Sequence, residues 1–94
     1  MTEKKEIREQ IVLIVEDNLS NYEIAKTFLN DMNICCESAT DGIEALDMYD
    51  TRGKGYYSAI LMDINLPRLN GLQTAARLRI RDDCIPVIAM TAYR

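Results

Sequence analysis

Three carboxylates fall where apolar runs end. Glu16 and Asp17 follow directly on Ile11-Val12-Leu13-Ile14-Val15, and Asp63 follows Ser58-Ala59-Ile60-Leu61-Met62. A continuous, β-branched-rich run reads as a parallel strand covered on both faces. In open α/β sheets, ligands bind beyond the carboxyl ends of the strands, at the point where the winding reverses. If these two runs are neighbours in one sheet, their three acids converge there. Each like-charged pair would then cost about 3 kcal/mol at about 6 Å and an effective dielectric of about 20. A single acid at a strand end is an ordinary turn residue, but three at one switch point call for a compensating cation. Mg2+ suits them, because it takes oxygen ligands in an octahedral shell, commonly one or two carboxylates with waters and a phosphate oxygen; Mn2+ favours the same donors. The loop after the first run, Glu16-Asp17-Asn18-Leu19-Ser20, lacks the glycines that cradle a phosphate at a helix N-terminus. A bare phosphate or nucleotide is therefore repelled, and a phosphoryl group is expected only together with the metal, with Asp63 as candidate nucleophile. Thr91, after Pro86-Val87-Ile88-Ala89-Met90, offers a hydroxyl at an adjacent strand end; taken alone it reads equally as an ordinary strand threonine.

The elements that must position these groups alternate from residue 11 onward. Ser20 or Asn21 is expected to cap a first helix whose apolar stripe is Ile24, Ala25, Phe28, Leu29 and Met32. Ile34 to Ala39 is a more polar strand suited to a sheet edge. Thr40-Asp41-Gly42 leads into a second helix with Ile43, Ala45, Leu46 and Tyr49 inward. A turn with Pro67 and Gly71 precedes a third helix carrying Leu72, Ala75, Ala76 and Leu78, which Asp82-Asp83 end. Strand, helix, strand with short links implies a parallel sheet with right-handed crossovers. The expected fold is α/β, a flavodoxin-like doubly wound sheet of order 2-1-3-4 with its switch point between strands 1 and 3. The fourth strand is apolar, yet nothing in the sequence follows to cover its outer edge, and such an edge invites pairing. An incomplete domain, or one completed by a homodimer or domain swap through that edge, is expected.

Composition narrows the function further. The chain has 94 residues, 48% hydrophobic and 28% charged, which suits one globular domain. Its longest apolar stretch is far short of the roughly 18 residues of a membrane span, and no signal-peptide core is present, so we expect a cytoplasmic protein. Residues 1–10 read as a charged leader or linker and 11–94 as the domain. Eleven basic against fifteen acidic residues, net charge −4, argue against nucleic-acid binding; Arg77, Arg79 and Arg81 read as a solvated helix face. Three cysteines without a histidine make neither a disulfide framework nor a zinc site, and we expect buried or half-buried thiols.

Val15-Glu16-Asp17-Asn18, Leu61-Met62-Asp63-Ile64-Asn65-Leu66-Pro67 with Gly71, and Ala89-Met90-Thr91-Ala92 together resemble the receiver (response-regulator) domain of two-component signalling. The resemblance spans residues 11 to 92 and is similar in wording to receivers of hybrid sensor kinases or single-domain receivers. It implies that Asp63 is the phosphoacceptor, taking a phosphoryl group from a phosphohistidine on a histidine kinase or histidine phosphotransfer protein. It implies Mg2+ held by Asp17 and Asp63 directly, by Glu16 mainly through water and by the Asn65 carbonyl. Thr91 would bond a phosphoryl oxygen, Ala92 would leave room for it, and Asn18 and the Asn65 side chain would sit where hydrolysis is tuned. It also implies a fourth helix, a fifth strand with an invariant lysine and switch aromatic, and a fifth helix; none of these lies within the 94 residues. Lys26 and Lys54 lie on the first helix and a remote loop and do not replace that lysine, and Tyr93 follows Thr91 too closely to be the aromatic. Loss of that cation would slow transfer by about 2 to 3 kcal/mol or more.

Three other readings compete. One is a poorly phosphorylated binding module acting through the open strand edge. Another is a small phosphohydrolase, which would need a general acid and substrate cap that are not visible. A flavin carrier is disfavoured by the acidic loop and the absence of tryptophan. A phosphoacceptor domain rather than an enzyme is the reading we carry forward.

Overall fold

Ile11–Val15 forms strand β1, and its burial on both faces, Val12 through Val15 at 5% exposure or less, is what a continuous apolar run requires. The computed structural model describes residues 9–90; the expected roles of Thr91 and Ala92, and most of the expected leader, lie outside the described residues. Helix α1 (Leu19–Asp31), strand β2 (Cys35–Ala39), helix α2 (Gly42–Arg52), strand β3 (Ala59–Asp63), helix α3 (Gly71–Arg81) and strand β4 (Val87–Met90) follow in order.

All strand pairs are parallel and the sheet order is β2-β1-β3-β4, as the sequence predicts. The register aligns Val15 with Met62 and Asp63 with Met90, so the ends of β1, β3 and β4 lie side by side. Right-handed crossovers place α1 on one face of the sheet and α2 and α3 on the other, because the chain reverses direction after β2. The core sits on the α2–α3 face: Leu13, Val15, Ile60 and Met62 pack with Ala45, Leu46, Tyr49 and Leu78. Asp82, just past α3, is buried and fully bonded: one carboxylate oxygen accepts the Tyr49 hydroxyl (2.7 Å), the other the N–H groups of Cys84 and Ile85 (3.0 and 3.1 Å).

Several local expectations are corrected. The cap of α1 is Asn18, whose Oδ1 accepts the Asn21 N–H at 2.9 Å, not Ser20 or Asn21. The predicted apolar stripe of α1 does not enter the core. Ile24, Phe28 and Met32 are 60%, 68% and 59% exposed, and only Ala25 and Leu29 are half-buried, because among the described residues no second helix covers that sheet face beside α1. Ile43 at the start of α2 is also exposed, whereas Ala45, Leu46 and Tyr49 are buried as expected. Cys35 and Cys84 are exposed and Cys36 is half-buried, so the thiols are less buried than expected. The polar strand β2 is an edge, as predicted. It is held by a group the sequence did not reveal: Glu37 accepts hydrogen bonds from Tyr56, Tyr57 and Arg52 at 2.8, 2.7 and 2.9 Å. No helix among the described residues is long and apolar enough to cross a membrane.

Candidate metal and phosphoryl-acceptor site

The site begins with strand polarity. Parallel strands β1 and β3 both run toward the same end of the sheet, so the residues that terminate them share one rim. Glu16 stays in register with the sheet because its N–H donates to the Ala39 carbonyl of β2 at 2.9 Å, which buries its side chain at the rim. Asp63 is the last residue of β3 and is 2% exposed, while Asp17, one residue into the loop, is exposed. One carboxylate oxygen of each of Glu16, Asp17 and Asp63 lies within 4.8 Å of the others. The three acids read from the sequence are thus brought together.

The hydrogen bonding around them is incomplete in an informative way. Glu16 Oε2 accepts the Asn18 N–H at 3.0 Å, and Asp63 Oδ1 accepts the Asn65 N–H at 3.1 Å. Asp63 Oδ2 is buried and has no partner. A buried carboxylate oxygen without a donor is costly, and a cation or an incoming electrophile is what such an oxygen lacks. The contrast with Asp82 is direct, since both its oxygens are bonded. Burial holds the Glu16 carboxyl above the usual carboxylate range; the negative charges of Asp63 and Asp17 add to this and the Asn18 N–H opposes it. The donor set is therefore all-oxygen, acidic and under-compensated, which fits a hard divalent cation.

The loop from β3 to α3 closes the site. Gly71 N–H donates to the Ile64 carbonyl at 3.0 Å, and a side chain at Gly71 would lie 2.8 Å from Ile64 Cα. Helix α3 thus begins against the backbone beside Asp63, which explains the glycine eight places after the aspartate. Asn65 is exposed, and Asn18 serves as the helix cap described above. Sequence reading missed the pairing of Arg68 in this loop with Asp41; a solvent-type residue whose backbone φ is +64° gives no local signal of a partner 27 positions away.

A parallel α/β sheet with acids gathered beyond strands β1 and β3 defines the class of protein. The family model of the response regulator receiver domain matches residues 12–94, and the chain belongs to that family. Among curated proteins it is 43% identical over 68 residues to the response regulator mcs4 of Schizosaccharomyces pombe, taking in 72% of this chain and 12% of that protein. It is 39% identical over 90 residues to hybrid signal transduction histidine kinase I of Dictyostelium discoideum, covering 89% of this chain and 5% of that one. The chain therefore spans a small part of these relatives' length. Among solved structures, the receiver domain of a sensor histidine kinase from Pseudomonas aeruginosa, with a magnesium ion coordinated in its active-site cleft, superposes with a TM-score of 0.78 at 32% identity, covering 90% of this chain and 69% of that one. The protein is a receiver domain of two-component signalling, with relatives among both response regulators and hybrid kinases.

Proposed function

We propose that the protein accepts a phosphoryl group on Asp63 from the phosphohistidine of a partner histidine kinase or histidine phosphotransfer protein, and acts as a signalling domain rather than an enzyme. The observation that carries this reading is the unpartnered, buried Asp63 Oδ2 beside two further carboxylates. Asp17 and Asp63 would ligate Mg2+, or Mn2+, directly, Glu16 through a water, and Asn65 through its backbone carbonyl. Bound there, the cation supplies charge neutralisation to the carboxylates and to the incoming phosphoryl oxygens. The Asp63 oxygen forms the new O–P bond as the N–P bond breaks, and the electron pair returns to the imidazole nitrogen, which takes up a proton. Thr91 would donate its hydroxyl to a phosphoryl oxygen, and the small side chain of Ala92 would keep that group accessible. The magnesium-bearing receiver structure supports the choice of cation.

The test is incubation of the chain with acetyl phosphate, with and without Mg2+, followed by intact-mass and peptide measurement. One added phosphoryl group, dependent on Mg2+ and mapped to the peptide holding Asp63, is expected. Addition elsewhere, or none, contradicts the reading.

A second reading, a homodimer or strand swap through the outer edge of β4, has one observation in its favour: β4 has a neighbour on one side among the described residues, and Ile88 on it is 51% exposed. Sedimentation is expected to show a dimer if this edge pairs, and a concentration-independent monomer removes the reading.

A further inference from the structure

The geometry points to Arg68 and Asp41 as a clamp that holds the β3–α3 loop in the shape needed to present Asn65 at the site, making Arg68 a positioning residue for cation binding. The inference rests on the reading of Asp63 and Asn65 given above.

Arg68 sits in the left-handed region, φ +64°, which residues with a Cβ adopt uncommonly and at a cost. Its guanidinium Nε donates to Asp41 Oδ2 at 2.8 Å, and its Nη2 reaches the same oxygen at 2.6 Å. Asp41 is a fixed anchor. It is 7% exposed, and its other oxygen, Oδ1, caps α2 by accepting the Glu44 N–H at 2.8 Å. Glu44 in turn accepts from the N–H and hydroxyl of Thr40, at 2.7 and 2.9 Å. One carboxylate therefore ties the first turn of α2 to the middle of the β3–α3 loop.

The rest of the loop is arranged to transmit that hold. Leu66 and Leu69 are buried on either side of Arg68, and Pro67 between Leu66 and Arg68 stiffens the segment. Gly42 lets the loop approach α2, since a side chain there would lie 2.6 Å from the Leu69 carbonyl. Asn65, three residues before Arg68, is linked through its N–H to Asp63 Oδ1 at 3.1 Å. A shift at residue 68 is thus passed along a short, stiff stretch to the residue that bonds the acceptor aspartate.

The experiment uses the full chain and the variants Arg68→Ala, Arg68→Gly, Arg68→Lys, Asp41→Asn and the Arg68→Ala/Asp41→Asn double. Asp41→Asn keeps an oxygen for the helix cap. Mg2+ affinity is read by calorimetric titration, and the exchange of the Asn65 and Gly71 amides is read without cation. Arg68→Ala is expected to weaken Mg2+ binding about threefold, a modest loss because the Arg68 side chain is 58% exposed and solvent screens its ion pair, and to speed exchange at both amides. Asp41→Asn should match it, and the double variant should be no worse than either single, as one coupled pair demands. Arg68→Gly should lose less than Arg68→Ala, because glycine accepts the left-handed backbone, and Arg68→Lys should recover part of the affinity. Unchanged exchange at Asn65 and Gly71 in Arg68→Ala, or additive effects in the double variant, overturns the clamp. If the wild-type chain binds no Mg2+, the site reading fails instead, and the cation-free exchange still decides the clamp. If Asp41→Asn does not fold, amide exchange in Arg68→Ala against its slowing in Arg68→Lys carries the decision, and no recovery in Arg68→Lys overturns the clamp.

Discussion

Asp63→Asn is expected to abolish phosphoryl incorporation and, in the absence of divalent cation, to make the chain more stable. The first effect follows from chemistry: the amide keeps an oxygen for the Asn65 N–H but has no anionic oxygen to attack phosphorus. The second follows from electrostatics. Three carboxylates with oxygens inside 4.8 Å repel one another, and neutralising the 2%-exposed Asp63 ends two of the three repulsions. With Asp17 exposed at the rim the effective dielectric lies well above about 20; at about 60 each pair is worth about 1 kcal/mol, and about 2 kcal/mol is relieved. For a domain of this size that is a rise of about 8–16 °C in the unfolding midpoint. Excess Mg2+ should reverse the order, because the wild-type site gains binding free energy on folding and the variant gains less. Thermal scans with EDTA and with Mg2+ check this. A variant that is destabilised without cation would show that the acids are held by structure rather than opposed by it. Sites that cost stability in exchange for chemistry follow this pattern.

Gly71→Ala carries the other large effect, a loss of about 2–3 kcal/mol, in the range of overpacking a tight contact. The atoms that a new methyl group would meet are backbone: the Asp63 carbonyl oxygen and, at 2.8 Å, Ile64 Cα. Neither can rotate away as a side chain could, so α3 must retreat from β3. That retreat also lengthens the Gly71 N–H to Ile64 carbonyl bond and disturbs the residue next to the acceptor, so cation binding should weaken with stability. Urea denaturation measures the loss; a cost below about 0.5 kcal/mol would mean that the helix start has slack the structure does not show.

The strands were legible because burial on two faces leaves an unmistakable trace: Ile11–Val15 and the run ending at Asp63 are nearly free of polar residues. From those two runs and the polar character of β2, the strand order and the gathering of Glu16, Asp17 and Asp63 could be reasoned. The α1 stripe misled for a definite reason. Helical period says which residues share a face, not what lies opposite; Ile24 and Phe28 share one that nothing among the described residues covers. Asn18 belongs in local sequence to the acidic turn, which hides it as a cap, yet its extended backbone and short amide are what the cap uses. The Arg68–Asp41 and Tyr49–Asp82 pairs were invisible for another reason. They join residues 27 and 33 positions apart by hydrogen bonds, and no local pattern encodes such a partner.

Phosphoryl transfer to Asp63 requires that the acidic rim seat a divalent ion. Calorimetric titration of Mg2+ into the wild-type chain and into Asp17→Asn tests this most directly, since Asp17 is exposed at the rim and its loss leaves the buried acids Glu16 and Asp63 in place. Saturable binding at a single site in the wild type, weakened about tenfold or more in the variant, is the predicted result. Equal affinity in the two chains, or no saturable binding in either, would contradict it.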